Sequence, residues 1–481
     1  MTRPIPFPAR APAAALLALA LAACGTAPRT LPPPAPQAPA AWQAPLPAGS
    51  AELVSWWTRF NDPALPPLIA AAQAASPTLA SAAARVERAR ALRQQAGVLD
   101  RPGVSLSADA SHGRSALGVP ITTNAAVGAQ LSWEIDLFGA LAAGRDAAQA
   151  RLEGAQAAWH GARVALAAEV ASSYAALRAC EAQALQSQID ADSRAETSRL
   201  TGLSADAGFT APADAALARA GAAQSRSQAA NQRAACEQIV KSLVEATAVP
   251  EPELRQRLAA SAAVLPQPQP LGVAALPAQL LQQRPDLAEA ARNVVAAAGD
   301  HAQARARELP QVSLSGSLFA ASARTGGSGG QTLSGSTWSL GPLVVNFPLF
   351  DGGYRAADTA AALASYNEAI ALYQAALRRA VREVESALVS LQATAQREGD
   401  ARSAAQDFEA ALRATEARQK GGLASLLELE TSRRNAAQAQ LALIDLLRQR
   451  TEAWIALYRS LGGGWNDGEL NTASAPAATR P

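Results

Sequence analysis

The chain has 481 residues, 49% of them hydrophobic but only 4% aromatic, and carries 42 basic against 40 acidic side chains. With a formal net charge of +2 and no block of like charge, a basic nucleic-acid-binding surface is excluded. Beyond the first 25 residues no run of 18 apolar residues occurs, so no transmembrane helix is expected.

In chain order, Arg3 and Arg10 precede an apolar run, Ala13–Ala23, which ends in Leu21-Ala22-Ala23-Cys24. Residues 1–23 read as a secretory signal. A Cys directly after Leu-Ala-Ala resembles a bacterial lipoprotein cleavage box; the rival is an ordinary signal with a chance Cys. Lipid, palmitate included, on Cys24 would hold the mature chain to a membrane leaflet. Gly25 stands where an Asp would retain such a lipoprotein in the inner membrane. Residues 24–50, proline-rich from Pro28 to Pro47, cannot fold compactly and read as an extended tether.

Residues 51–249 form a first unit. Trp56-Trp57 opens it, read as packing of a folded-back N-terminal segment rather than as a ligand-stacking pair. A short and a longer helix reach about Leu99, and strands follow at about 103–111 and 126–137. Val104, Leu106, Ala108 and Ala110 alternate with Ser105, Ser107, Asp109 and Ser111; Leu131, Trp133, Ile135 and Leu137 alternate with Gln130, Ser132, Glu134 and Asp136. Strands of about ten residues, apolar on one face and polar on the other, are expected of an outer-membrane barrel. A soluble sandwich edge is the alternative. Then come helices at roughly Ala140–Ser204 and Pro212–Ala246, hinged near Gly208. At 1.5 Å per residue, about 65 residues span about 100 Å, far more than a bilayer, so these hairpins belong to a soluble body.

Residues 250–277 are a proline-rich connector expected to wrap the outside. Residues 278–463 repeat the plan, with strands at about 311–321 and 337–348, a glycine-rich loop at Gly326–Gly330, and helices at Gly353–Ala417 and Leu426–Leu461 hinged at Gly421-Gly422. Leu443, Leu447, Trp454, Leu457 and Leu461 form a coiled-coil-like stripe. Residues 464–481 read as a flexible tail. The likeness of the halves is explicit: PGVSLS at Pro102–Ser107 against PQVSLS at Pro310–Ser315, Ser76-Pro77-Thr78-Leu79 against Arg284-Pro285-Asp286-Leu287, and Gly208 against Gly422. A period of about 210 residues is too long for a solenoid and reads as an internal duplication. Each chain supplies four strands, and unpaired edges are not tolerated in lipid, so several chains must pool theirs.

The WEIDLFG and FPLFDGG strand ends, the Arg284 tetrad, the Trp-Trp start, the lipoprotein box and the duplication together resemble the outer membrane factors of tripartite efflux pumps, in the lipoprotein branch that includes nodulation-type proteins. The resemblance spans Cys24 to about Gly463. It implies a mainly α fold with a small β membrane part: a homotrimer closing a 12-stranded β-barrel, continued by a long periplasmic α-helical barrel. The implied role is a passive exit duct for drugs or other small molecules, seated in outer membrane lipid. Its implied partners are a periplasmic adaptor and, through it, a proton-driven inner-membrane transporter. The rivals are a type I secretion duct and a structural periplasmic coiled coil or adaptor.

No enzyme, metal or cofactor is expected. His112, His160 and His301 are scattered, and the Gly326–Gly330 loop lacks the Lys of a phosphate cradle. Cys180 lies 28 residues before Gly208 and Cys236 28 after it, level on an antiparallel hairpin. In an oxidising periplasm they are expected to form a disulfide, two buried free thiols being the alternative. In the family, the second hairpin turn carries a Gly followed six and nine residues later by acids that ring the closed mouth. Counting from Gly422, Glu428 fits and Thr431 departs; Glu430 is the neighbouring substitute and Asp214 the first-half equivalent of Glu428. Glu428 is equally readable as the third-position partner of Ser425 in a capping box.

Overall fold

The computed structural model describes residues 39, 42–44, 56–114, 116–118, 120–268, 283–326 and 330–465. The signal sequence, Cys24, most of the tether, the end of the connector and residues 466–481 lie outside the described residues. The described chain clusters into two compact units. One holds residues 85–155 and 290–373; the other holds the described parts of 36–84, 156–289 and 374–481.

The first unit is built on a four-stranded antiparallel meander, β1 (Gly103–Gly113), β2 (Thr122–Ile135), β3 (Gln311–Thr325) and β4 (Thr332–Asn346), in the order β1-β2-β3-β4. Its register sorts side chains by chemistry. Pairings such as Leu106↔Ala129↔Leu318↔Trp338 and Val104↔Leu131↔Gly316↔Leu340 put the apolar residues on one face. Ser105↔Gln130↔Ser317↔Ser339 put the polar ones on the other. Leu106, Leu318, Trp338 and Leu340 are all exposed. Phe319, on the polar face, lies across Gly128, where an added Cβ would sit 2.4 Å from its ring. Neither β1 nor β4 has a partner on its outer edge among the described residues.

All four strands run beyond their expected ends at the turn side: β1 continues to Gly113, β2 begins at Thr122, β3 continues to Thr325 and β4 begins at Thr332. The expected bounds followed the apolar alternation, but ladder hydrogen bonds pair Thr, Ser and Asn as readily as Val or Leu. Pairing therefore outlasts the apolar stripe.

Eight α-helices are described. α1 (Leu65–Ala75) and α2 (Pro77–Ala96) precede the sheet, and α3 (Ala140–Asp206) and α4 (Pro212–Thr247) follow β2. α5 (Glu251–Ala259) and α6 (Pro285–Ala306) come before β3, and α7 (Tyr354–Lys420) and α8 (Leu426–Ser460) follow β4. α3 and α7 are each 67 residues long. Alanine, the strongest helix former, carries such lengths without a wide apolar face. None of the described helices is long and apolar enough to cross a membrane.

The connector begins with a helix. α5 forms because Pro252 fits a first helical turn, Glu251 and Glu253 favour the N-terminal dipole, Arg257 favours the C-terminal one, and Leu254 and Leu258 are buried one turn apart. The tail also differs from expectation at its start. Gly462, Gly463 and Gly464 turn the chain in left-handed conformations, and Trp465 is buried.

The core of the second unit gathers Trp56, Phe60, Leu65, Leu68, Tyr174, Leu177, Leu243, Leu254, Leu388 and Leu457. Trp56 is fully buried and stacks on Tyr458 with ring centroids 4.8 Å apart, so the Trp pair packs the N-terminal segment down. Buried arginines fasten this body. Arg178, fully buried, donates to Tyr174 Oη (3.0 and 2.9 Å), Leu258 O (2.8 Å), Ser261 Oγ (2.8 Å) and Glu181 (2.8 Å). Tyr174 in turn donates to Asp62, and burial pushes its pKa up to about 12. Arg284 explains its tetrad: it donates to Ser460 O at the end of α8 (2.9 Å), to Glu383 on α7 (2.8 Å) and to Asp286 (2.9 and 2.7 Å).

Cys180 on α3 and Cys236 on α4 are joined, with Cα atoms 5.6 Å apart. On unreduced, denatured protein, alkylation should label neither thiol. Replacing both by Ala should destabilise the body by about 4 kcal/mol on the chain-entropy estimate, read as a lower denaturation midpoint that reductant no longer shifts.

Candidate functional site

The hairpin tips, both in the second unit, collect the residues that sequence reasoning tied to a gate. Each long helix ends in the same way. Gly208 (φ +79°) and Gly422 (φ +73°) are left-handed. Phe209 N–H reaches Ser204 O at 2.9 Å and Leu423 N–H reaches Arg418 O at 2.8 Å, with the inner bonds Gly208 N–H to Ala205 O and Gly422 N–H to Gln419 O both 3.0 Å. These are paired Schellman closures, which satisfy helix-end carbonyls and favour glycine at the left-handed turning position. Gly421 is not a hinge of this kind; its N–H continues the helix to Ala417 O. The residues after the glycines are apolar and bare: Phe209 is 87% exposed and Leu423 73%.

α8 starts in a complete capping box. Ser425 Oγ accepts from Glu428 N–H (3.2 Å), while a Glu428 carboxylate oxygen accepts from Ser425 N–H (2.7 Å) and from its hydroxyl (3.0 Å). The backbone bond to Ser425 is the main cause holding the Glu428 carboxyl below its usual range, with Arg418 3.9 Å away adding to it. Asp214 lies exposed in the first turn of α4, with no side-chain partner among the described residues.

Glu430 is placed differently from Glu428. It accepts from Arg194 on α3 and, at 3.1 Å, from Arg433 on its own helix. Arg433 is buried; it donates to Thr197 Oγ1 on α3 (2.6 Å) and to Glu416 on α7 (3.4 Å). Arg194 also holds Asp190 at 2.9 Å. One cluster therefore joins α3, α7 and α8 just behind the tips. Sequence reasoning missed Arg433, Arg194, Thr197 and Glu416. The available signal was position: Leu429, Arg433 and Ala436 are spaced four and three, the spacing of a buried seam, and all three are buried.

The histidines do not meet. His112 lies on β1, His160 on α3 beside Trp159 and Trp465, and His301 on α6, where burial lowers its pKa. Among the described residues no group of three or more His, Cys, Asp and Glu is arranged to hold a metal.

A short sheet with one exposed apolar face and two open edges, joined by chain to hairpins of very long helices, defines a class of membrane channel proteins. The model of the outer membrane efflux protein family matches residues 68–249 and 276–463, and the chain belongs to that family. It is 28% identical to nodulation protein T of Rhizobium leguminosarum bv. viciae over 94% of this chain and 93% of that one. It is 29% identical to outer membrane protein OprJ of Pseudomonas aeruginosa over 96% and 97%. The solved outer-membrane channel OprN superposes with a TM-score of 0.80 at 27% identity, covering 91% of this chain and all of that one.

Arg433→Met removes the buried guanidinium while keeping its length. It should lower stability by about 1–3 kcal/mol, read as a lower melting temperature. Ser425→Ala should lower the melting temperature without changing ion selectivity. Because the Glu428 carboxyl titrates below its ordinary 4.5, the cap's contribution is present above that pH and lost as pH falls below it. A melting curve from pH 7 to 3.5 should show this loss for the wild type and not for Glu428→Gln.

Proposed function

We propose that three copies of this chain form the outer membrane exit duct of a tripartite efflux pump, a passive route for drugs or other small molecules across the periplasm and outer membrane. The observation that carries this reading is the open four-stranded meander. Its apolar face suits lipid, yet β1 and β4 leave backbone donors and acceptors unpaired, each costing several kcal/mol in hydrocarbon. Pairing β4 of one copy with β1 of the next, three times over, gives a closed ring of twelve strands. The Ser- and Gln-lined face then suits an aqueous lumen, and the helical hairpins of three chains continue the duct.

Cys24, lipidated, would add an anchor beside the barrel. The bare apolar tips at Phe209 and Leu423 suit docking of a periplasmic adaptor, which would link the duct to a proton-driven inner-membrane transporter. Selection of substrate would then lie in the pump, and nothing in the duct calls for catalysis. A structural coiled coil or adaptor has no need of an amphipathic meander, and the efflux family match does not favour a type I secretion duct.

Native mass spectrometry in detergent should show trimers as the dominant species, and planar bilayers should show discrete conductance steps. Dominant monomers without conductance would sink the reading. Phe209→Asp combined with Leu423→Asp should leave trimer and conductance intact but abolish drug-resistance complementation in cells.

A further inference from the structure

On the exposed apolar face of the sheet, side chains turn polar toward the turns, at His112 on β1, Thr123 on β2, Ser322 on β3 and Ser336 on β4. His112, Thr123, Arg324 and Thr332 are consecutive partners across all four strands and share that face with Leu106, Leu318 and Trp338. His112 Nδ1 and Thr123 Oγ1 lie 2.8 Å apart. Arg324 is the one charged residue between Glu308 and Asp351, and no Asp or Glu lies between Asp109 and Glu134. Arg324 is exposed and has no acidic partner among the described residues.

Register gives the depth of this level. From Ile135 to Ala125 the apolar face of β2 runs through Trp133, Leu131, Ala129 and Val127. Ten residues advance about 34 Å along a strand, or about 26 Å along the normal of a barrel tilted near 40°. The apolar band of an outer-membrane barrel is about 25 Å tall. Thr123, the next residue on that face, therefore falls at the rim, and its partners His112, Arg324 and Thr332 lie within about 6 Å of it along the normal, since tilted neighbours are offset by about 3 Å per strand. Gly113, Thr122, Thr325 and Thr332 are the strand termini at this end, opposite the ends that lead into α3 and α7.

A lone cation at the midplane of a lipid face is strongly disfavoured, but at the rim it meets headgroups. A guanidinium presents paired donors that match a phosphate, and the Thr332 hydroxyl and the one donor left free by the His112–Thr123 hydrogen bond extend the donor row. With no carboxylate nearby to neutralise it, the row is complementary to an anion. We propose that His112, Thr123, Arg324 and Thr332 form a binding site for a phosphorylated lipid headgroup in the leaflet on the turn side of the barrel, repeated once per chain. The site rests on the reading of the sheet as a lipid-facing barrel wall.

The test uses the full chain in detergent micelles doped with bis-phosphorylated lipid A or with its dephosphorylated form. Retained lipid is counted by native mass spectrometry. Wild type should retain the phosphorylated form about tenfold better. Arg324→Gln combined with His112→Gln should remove that preference, and Arg324→Lys should keep part of it. Equal retention of the two lipids, or an unchanged preference in the double variant, would overturn the site. So would loss of the lipid to competing inorganic phosphate at millimolar concentration, which would make it a site for the free anion. Conductance separates the two levels of the claim. Steps in planar bilayers without lipid preference remove the headgroup site alone, whereas no steps at all remove the barrel reading beneath it.

Discussion

The constraint on which the rest depends is the hydrogen-bonding need of a backbone in hydrocarbon. Four strands cannot close on themselves: shape and strand tilt leave β1 and β4 apart, and the described sheet is an open meander. A water-soluble sheet could leave such edges wet. This one carries exposed Leu106, Leu318, Trp338 and Leu340 on a single face, the wrong face for water and the right one for acyl chains. Oligomerisation is thus part of the proposed fold, in which each chain supplies one third of a wall. The same constraint explains why the strands extend past their apolar stripe. Backbone groups gain from pairing whatever the side chain, and toward the turns the side chains become Thr, Ser, Asn, His and Arg.

A second constraint acts on the helices. Seams made largely of alanine bring backbones close but give little apolar area per residue, so they hold register weakly. The structure compensates with a few buried arginines. Arg178 ties α3 to α5 and the segment after it and, through Tyr174, to Asp62; Arg284 ties the start of α6 to α7 and α8; Arg433 ties α8 to α3 and α7. Arginine suits this role because its five donors can reach several segments at once and its charge persists at any working pH. A leucine in the same place would fill volume without specifying which turn of one helix faces which turn of another.

Legibility in the sequence followed how local each cause is. The amphipathic strands, the turn glycines and the Ser425–Glu428 cap are set by neighbours within a few residues, and their patterns could be read directly. Cys180 and Cys236 could be paired because a hairpin turn converts equal sequence distance into equal height. Arg433 could not be read, because its value depends on Thr197 and Glu416 arriving from two other helices. A charged residue on an apolar seam looks like an interruption until its partners are in view. α5 was hidden in a proline-rich stretch by the habit of reading proline as a breaker, although Pro252 sits in the first turn, where its missing N–H matters least. Trp465 was missed because three glycines before it suggested a frayed end, whereas they turn the chain back so that the indole is buried.

The two hairpins are alike in length and in the closure of their tips, but they are held together by different means. In the first, Cys180 and Cys236 bond α3 to α4 at 28 residues on either side of Gly208. At the same distances from Gly422 the second hairpin carries Thr394 and Arg450. Thr394 turns its hydroxyl to its own helix, donating to Ser390 O (2.8 Å) and Leu391 O (3.0 Å), and Arg450 pairs with Glu398. An ion pair can exchange for water or another partner as helices shift, and a disulfide cannot. The fastening nearest the tips is also ionic, since the Arg194–Glu430 and Arg433–Glu416 pairs span from α3 to α8 and from α8 to α7. The first hairpin is therefore a covalently braced strut. The second is held at both levels by contacts that can be broken and remade.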